Sequence, residues 1–478
     1  MTEVEALGQL EAIEGVHWDL EMGGIVELVC SGSSSPPALL FDRIKEYPAG
    51  HRVLANLFTS VERLGLTTGL DPHLSPIEFV QQWRHKVRRL APLPPLEVRD
   101  GPILENVRTG SQVNLYEFPA PRWHELDGGR YLGTAHMVIT QDPEDGWINF
   151  GTYRVMLQDE RSVGVYISPG KHGRIQRQKY FDRKRPCPVA ICLGQDPLLF
   201  LAASTSVPYK MGEYEYAGAV RGEPIEVIRG PVTGLPIPAR SEIVLEGEMA
   251  PGDWMDEGPF GEWTGYYASS RRPEPVMRVQ SVMFRNNPIL CGAPPMRPSV
   301  GKGVHTLMHA SLIWNALEEA GVPDVTAVNC HPAASRFLIV VAIKQRYPGH
   351  ARQAAIIASQ CRAGAYLGRY VVVVDEDVNI YDSDDLIWAL CTRSDPEQSI
   401  DILRRCWSGP LDPIIPREHK GFNSRAIIDA TRPFEWKDQF PPVSGLSPVL
   451  KARLKEEWGE RLSALFARQE RKGLEEAR

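Results

Sequence analysis

The chain lacks the features that mark several large protein classes. Its 478 residues include eight cysteines (Cys30, Cys187, Cys192, Cys291, Cys330, Cys361, Cys391, Cys406), and none of them forms a C-x-x-C pair. Such scattering signals neither a zinc site nor a disulfide framework. No apolar run reaches the ~18 residues of a membrane span. The N-terminal stretch MTEVEALGQLEAIEG is acidic and has no apolar centre, which argues against a signal peptide. Positive charge is not in excess, since 53 Lys and Arg stand against 60 Asp and Glu for a formal net charge of -7. No basic field is available to gather nucleic acid or anionic lipid. Internal repeats and low-complexity tracts are also missing. These absences point to a reduced, cytoplasmic protein whose partners are neither nucleic acid nor membrane.

The composition is that of a globular chain, with 43% hydrophobic and 24% charged residues. At ~100–200 residues per domain, the length predicts roughly two to four domains. Residues 1–118 mix short helical and strand-like pieces, and the Pro-rich RRLAPLPPLEVRDGP (88–102) marks a boundary. From about 119 the character turns to β. HMVITQDPEDGWINFGTYRVMLQD (136–159) alternates about a turn at Pro143–Gly146, a hairpin signal. PVAICLG (188–194), EPIEVIRG (223–230), SEIVLEGEM (241–249) and PVMRVQSVMF (275–284) continue the pattern, which predicts a barrel or sandwich. Beyond about 300, FLIVVAIK (337–344) and YVVVVDED (370–377) read as buried strands joined by a helix over 349–368. A helix over 303–321 precedes them. The last segment opens on Ser447-Pro448, an N-cap and first-turn signal. Its stripe of Leu450, Leu454, Trp458, Leu462, Leu465 and Phe466 predicts a packing or subunit-contact face.

One stretch raises a chemical question. DEGPFGEWTGYY (256–267) sets Glu257 and Glu262 either side of Gly-Pro-Phe-Gly. These residues make a turn, and a turn can aim both carboxylates inward where a helix could not. The competing reading is a solvated acidic loop. Three other stretches carry polar residues. NFGTYR (149–154) places Asn149 and Arg154 on the outgoing strand of the hairpin. SPGKHGRIQ (168–176) places His172 in a Gly-rich turn, and Glu213 and Glu215 precede Ala217-Gly218-Ala219. One Asn, one His and one Glu form a hard oxygen/nitrogen set suited to Mn²⁺ or Mg²⁺ rather than zinc. Taken singly, the three read more simply as a turn cap, a turn histidine and a surface charge.

The joint order of these motifs changes that balance. N-x-x-x-x-R, a turn histidine, E-x-x-x-A-G-A, EGPFGE, and then VVVVDEDVNIYDSDDLIWALCTR (371–393) resemble the UbiD family of decarboxylases over about residues 119–432. The resemblance implies an α/β and β fold. Its flavin-binding half would comprise an N-terminal α/β segment (1–118) and a split β-barrel (119–300), followed by an α/β domain with a mixed sheet (301–446) and an oligomerisation helix (447–478). It implies prenylated FMN as cofactor, supplied by a separate flavin prenyltransferase, with Mn²⁺ or Mg²⁺ and K⁺ as an accompanying cation. The implied reaction is reversible, non-oxidative decarboxylation of an aromatic, heteroaromatic or α,β-unsaturated acid by a homodimer or larger homo-oligomer. Loss of CO₂ from an sp² carbon leaves a carbanion that no side chain can delocalise, so a cofactor must carry that step.

By the same resemblance Glu262 is the proton donor, Arg154 its ion-pair partner and a bidentate substrate contact, and Glu257 the second carboxylate. Asn149, His172 and Glu213 are the implied metal ligands. Gly151, Thr152, Lys171, Thr205, Ser206 and Pro208 lie where the family wraps its flavin. Arg369 falls where relatives carry a phosphate-binding lysine. One departure is APPMRPSVGKGVHTLMH (293–309), which brings Arg297, Lys302, His305 and His309 where many relatives have an acidic Pro-rich stretch. The swap argues against a prenylated hydroxybenzoate substrate and makes His305 a candidate substrate contact. Two alternatives remain: a carboxylase, or carboxylase subunit, running the reverse reaction, and a non-catalytic flavin-binding split-barrel protein.

Overall fold

The computed structural model describes residues 1–33, 35–205, 207, 211–267, 270–297 and 304–476. They form two compact units, Met1–Thr431 and Arg432–Arg478. The second carries a 29-residue helix, Pro448–Glu476. The Ser447 hydroxyl accepts the Leu450 N–H at 3.2 Å, so the capping residue read from sequence caps the helix.

The first unit is organised around a nine-stranded sheet. Its strands run in the spatial order 131–133, 154–159, 162–166, 272–284, 243–257, 187–194, 137–141, 148–151, and strand 106–109 pairs on 272–284. The sheet curls into a half-barrel, as the β-rich middle of the sequence predicts. Its two longest strands, Ile243–Glu257 and Arg272–Phe284, pair antiparallel from Ile243↔Phe284 to Glu257↔Arg272. Register shifts at Glu246/Gly247 and Met249/Trp254 interrupt the ladder, and such bulges bend a strand pair. Alternate residues of one strand enter different cores. Met137, Ile139, Ala190, Cys192 and Val244 join one cluster, whereas Val138, Val189, Ile191, Leu193 and Leu245 join another. Both faces of the sheet are therefore covered, and its strand ends and connections are left to carry polar chemistry.

Two smaller sheets flank it. Leu10–Glu14, Ala38–Asp42, Arg52–Ala55 and Ile289–Cys291 form a four-stranded sheet, so a strand some 230 residues later completes the N-terminal one. The run EPIEVIRG is not a barrel strand. Glu226–Arg229 pairs with Pro236–Pro238 and with Leu96–Glu97 in a separate three-stranded sheet. The C-terminal part holds a five-stranded sheet, order 325–330, 338–343, 370–375, 422–430, 400–407. Its three central strands are parallel and its two outer pairings antiparallel, giving the mixed sheet expected.

The helix expected over 349–368 stops at Gln360. A Cβ on Gly364 would lie 1.9 Å from the Ala358 carbonyl, because the chain turns back onto the helix end. Buried Arg425, from strand Phe422–Ala430, donates to the carbonyls of Ser359, Gly364 and Ala365 and so satisfies the freed acceptors. No local sequence pattern carries that long-range cap.

Leu245 is fully buried in the half-barrel. Leu245→Ala should cost ~2–5 kcal/mol of unfolding free energy through lost transfer and a residual cavity, read as a lower urea midpoint at unchanged slope.

Candidate active site

Strand Ile243–Glu257 ends on Glu257, and Gly258 turns the chain with φ +81 ahead of a cis Gly258–Pro259 bond. A positive φ is a position where glycine costs least. The turn is braced from outside. Gly128 N donates to the Pro259 carbonyl at 2.8 Å, and the Tyr131 hydroxyl donates to the same oxygen at 3.1 Å. A Cβ on Gly128 would lie 2.0 Å from the Gly258 oxygen, so only glycine fits there. The Tyr131 ring packs on Phe260, with centroids 4.2 Å apart. Beyond the turn, Glu262 N donates to Tyr266 O at 2.9 Å and Gly265 N to Glu262 O at 2.8 Å. The Tyr267 hydroxyl reaches buried Asp127 at 3.0 Å. EGPFGE is therefore a rigid support and not a solvated loop.

Both carboxylates meet one guanidinium. Arg154 donates from Nε and Nη2 to the two oxygens of Glu257, each at 2.6 Å, and from Nη1 to Glu262 Oε1 at 3.0 Å. Glu257 is 1% exposed. The bidentate partner of Arg154 is thus Glu257, and a substrate carboxylate is left only the remaining Nη hydrogens. Tyr166 lies between two guanidinium groups, Arg154 at 4.8 Å and Arg272 at 4.5 Å from its ring centroid. Burial pushes the Glu262 carboxyl up to about 7, with Arg154 pulling against it and Glu257 reinforcing it. A carboxyl that is half protonated near neutral pH beside a fixed cation can both give and recover a proton.

The expected metal and cofactor residues lie on other elements. Asn149 lies on strand Ile148–Gly151, and Arg154 begins a different strand, Arg154–Asp159. The two are not on one outgoing strand, because the chain bends at Thr152-Tyr153 and the two strands sit at distant places in the sheet order. Buried His136 holds that bend, donating from Nε2 to the Tyr153 carbonyl at 2.6 Å. Burial takes the His136 imidazole down to about 4, so the ring stays neutral. His172 is the first residue of a helix, His172–Asp182, with Lys171 as its N-cap residue. The four residues before it supply the Gly-rich turn read from sequence.

Tyr153 links two of these elements. Its hydroxyl is 3.2 Å from Asn149 Nδ2 and accepts the Gly173 N–H at 3.2 Å. A Cβ on Gly151 or on Gly173 would lie 2.6 Å from its ring. Glu213, first residue of helix Glu213–Arg221, accepts the Phe150 N–H at 3.4 Å. It is 6% exposed and makes no ion pair among the described residues. Burial pushes its carboxyl up to about 7. A buried carboxyl with backbone donors alone, held against the strand that carries Asn149, fits a hard divalent cation. Among the described residues no three His, Cys, Asp or Glu side chains gather as a metal set, so this candidate depends on its asparagine.

The other expected contacts fall out unevenly. Thr152 N donates to Ala203 O at 3.2 Å, which brings the bend against the end of helix Pro197–Ser204, next to Thr205. Arg369 grips both oxygens of buried Asp412 and lies over Phe337 at 5.3 Å. Ser206, Pro208 and Lys302 lie outside the described residues, as does the His305 side chain. His309 is buried on helix Val304–Glu319.

Comparison with known proteins bears on all of this. Models of three domains described as 3-octaprenyl-4-hydroxybenzoate carboxy-lyase match the chain: the N-terminal domain at residues 1–83, the Rift-related domain at 96–298 and the C-terminal domain at 304–430. The chain belongs to the UbiD family. It is accordingly an enzyme of the UbiD carboxy-lyase type. It is 32% identical over 470 residues to a pyrrole-2-carboxylic acid decarboxylase of Pseudomonas aeruginosa, covering 93% of each chain. It is 31% identical to a phenolic acid decarboxylase of Sedimentibacter hydroxybenzoicus, covering 98% of this chain and 97% of that one. The open form of the vanillic acid decarboxylase of that organism superposes with a TM-score of 0.84 at 30% identity over 98% of both chains. The enzyme HmfF of Pelotomaculum thermopropionicum, solved with FMN, gives 0.82 at 25% identity over 94% and 97%.

Several residues of this UbiD-family site escaped the sequence reading: Tyr131, Gly128, Asp127, His136, Tyr153, Tyr166 and Arg272. Tyr153 had a visible signal, an aromatic inside NFGTYR between two candidate polar residues. The others act through contacts far apart in sequence.

The high ionisation point of Glu262 has a consequence for stability. A carboxyl whose folded value lies near 7, above the usual 4.5, stabilises the fold fully below 4.5 and loses that contribution as pH rises through about 7. Glu262→Gln removes the titration. In cofactor-free protein, the stability of the native chain relative to the variant should fall by about 2–3 kcal/mol between about pH 4.5 and pH 8. Urea unfolding across that range measures it, and a flat difference would place Glu262 at an ordinary carboxyl value.

Proposed function

We propose that this chain catalyses the reversible, non-oxidative decarboxylation of an aromatic, heteroaromatic or α,β-unsaturated carboxylic acid with prenylated FMN, and that Glu262 is the proton donor. One observation carries the reading. Glu262 is buried, poised near 7 and hydrogen-bonded to Arg154 at 3.0 Å, while Glu257 takes the rest of that guanidinium. The named relatives, which act on pyrrole-2-carboxylic, phenolic and vanillic acids, support the substrate class. The neighbour solved with FMN supports a flavin.

In this reading Asn149, His172 and Glu213 would hold Mn²⁺ or Mg²⁺, and Gly151, Thr152, Lys171 and Thr205 would wrap the cofactor. The bound cofactor supplies the electron sink that no side chain offers. The remaining steps belong to the protein. Arg154 presents its free Nη hydrogens toward the substrate carboxylate. The bond from ring carbon to carboxyl breaks, CO₂ leaves, and the electron pair stays on the carbon side. Glu262 then transfers its carboxyl proton to that carbon. The resulting Glu262 carboxylate is stabilised by Arg154 and regains a proton from solvent, and Phe260 and Tyr131 keep water from the turn. In this reading residues 119–300 carry the chemistry, 301–446 form the C-terminal α/β domain, and the 447–478 helix meets a second copy of the chain. The compartment proposed is the cytoplasm, where a flavin prenyltransferase supplies the cofactor. No helix among the described residues is long and apolar enough to cross a membrane.

The reverse, carboxylating direction uses the same groups, and substrate and CO₂ concentrations decide between them. A non-catalytic flavin binder would have no use for a buried acid kept protonated beside an arginine.

Two variants test the reading. Glu262→Gln keeps shape and hydrogen-bonding reach but has no acidic proton, and general acid catalysis is worth ~10²–10⁴-fold. It should retain cofactor and metal yet lose both decarboxylation and solvent-deuterium exchange into product. Exchange at the native rate would move the acid elsewhere, with His305 the next candidate. Glu213→Ala deprives a hard cation of its one charged ligand, so the purified variant should carry less metal and less flavin, read by elemental analysis and the visible spectrum. Native loading of both would remove Glu213 from the metal site.

A further inference from the structure

Asp127 is a buried acid without an arginine or lysine partner among the described residues. Its side chain is fully buried, and its one ion-pair contact there is His124 Nδ1 at 4.0 Å. The other buried acids near the reacting end are held by arginine, Glu257 by Arg154 and Glu274 by Arg272. Both Asp127 oxygens instead accept hydrogen bonds. The His124 N–H donates to Oδ2 at 3.0 Å, and the Tyr267 hydroxyl donates to Oδ1 at 3.0 Å. The Gly261 N–H faces the same carboxyl. Burying an acid here costs free energy that an apolar residue would not, so packing alone does not account for it.

Its place in the chain does. Upstream of Glu262, the Pro259 carbonyl accepts the N–H of Gly128, the residue after Asp127, at 2.8 Å. Downstream of Glu262, the Tyr267 hydroxyl is tied to Asp127 itself. Between these points Glu262 N donates to Tyr266 O and Gly265 N to Glu262 O, which closes the backbone into a compact turn. Two consecutive residues, Asp127 and Gly128, therefore fasten both ends of the stretch 259–267, and Glu262 lies between the fastenings. Arg154 reaches Glu262 through Nη1 alone, at 3.0 Å. One contact to a flexible side chain does not set how deep a carboxyl sits, whereas a backbone pinned at both ends does. Depth matters because burial is the largest cause of the raised Glu262 carboxyl.

We propose that Asp127 is a positioning residue: with Tyr267 it clamps the downstream end of the 259–267 turn and so holds the Glu262 carboxyl in its buried place beside Arg154. Its hydrogen bonds go to the turn and to its own segment, and it acts through the turn. The consequence for the reaction rests on Glu262 being the proton donor, whereas the clamp is a property of the chain without cofactor.

The full-length, cofactor-free chain carries the test. Asp127→Asn keeps the size but offers one acceptor where the carboxylate offers two, so an amide N–H is set against the His124 N–H or the Tyr267 hydroxyl. Tyr267→Phe removes one bond of the clamp and alters no charge. Each is made alone and with Glu262→Gln, and urea unfolding across pH gives the pH at which the Glu262 contribution is lost. The members of each pair differ only at residue 262, so the titration of Asp127 itself cancels. Arg154, Glu257, Arg272 and Tyr366, which face Glu262, are the same in every protein compared. In the native background the loss is centred at about 7. Both clamp variants should move it down by about one unit or more, as water reaches the carboxyl. A loss that stays at the native pH in both variants overturns the proposal. So does a shift in Asp127→Asn with none in Tyr267→Phe, which would make Asp127 a nearby charge and not a clamp. Tyr267 is 36% exposed, so its variant decides the matter if Asp127→Asn gives no folded protein. The reading of Glu262 as proton donor fails separately, through native deuterium exchange in Glu262→Gln, and leaves this titration untouched.

Discussion

One buried guanidinium organises the reactive end of this protein. Arg154 holds two carboxylates of the same turn, and in a poorly solvated site one cation cannot keep both ionised at ordinary acidity. Glu257 has the bidentate geometry, two contacts of 2.6 Å, and almost no exposure. Glu262 has a single contact and more water, yet burial still raises its carboxyl to about 7. The asymmetry of one arginine between two glutamates thus separates their environments: Glu257 holds the guanidinium through two contacts, and burial favours the protonated form of Glu262.

That asymmetry depends on where the backbone puts each group. Arg154 begins one strand of the half-barrel and Glu257 ends another, so their meeting relies on the curl of the sheet. The curl in turn follows from the bulged pairing of the two longest strands and from a core on each face. The turn that carries Glu262 leans on Gly128 and Tyr131, which come from about 130 residues earlier. Small residues do the fine positioning. Gly128 lets two backbones touch, and Gly151 and Gly173 make room for the Tyr153 ring that links Asn149 to the helix of His172.

The charge distribution divides the cleft. At the reacting end, acids and arginines are matched almost one for one. Away from it, among the described residues, the buried Glu213 carboxyl makes no ion pair, and neither does Lys171, the N-cap residue of helix His172–Asp182. A buried carboxyl without an ion-pair partner is what a metal ion would satisfy, whereas a site built only for stability would pair it internally.

How much was legible beforehand differs between residue types. EGPFGE could be read as a rigid turn because glycine and proline act locally, and the buried parallel strands could be read because burial on two faces leaves continuous apolar runs. The capped C-terminal helix followed from Ser447-Pro448 for the same local reason. The order of polar motifs sufficed to point to the family, since order along the chain survives where spacing does not. Tertiary structure decided the rest. It placed Asn149 and Arg154 on separate strands, moved 226–229 out of the barrel, stopped a helix at Gln360 with an arginine from another strand, and neutralised Arg369 with Asp412. Each of these turns on a partner dozens to hundreds of residues away, and a linear sequence records the residues that can pair without recording which partner the fold brings within reach.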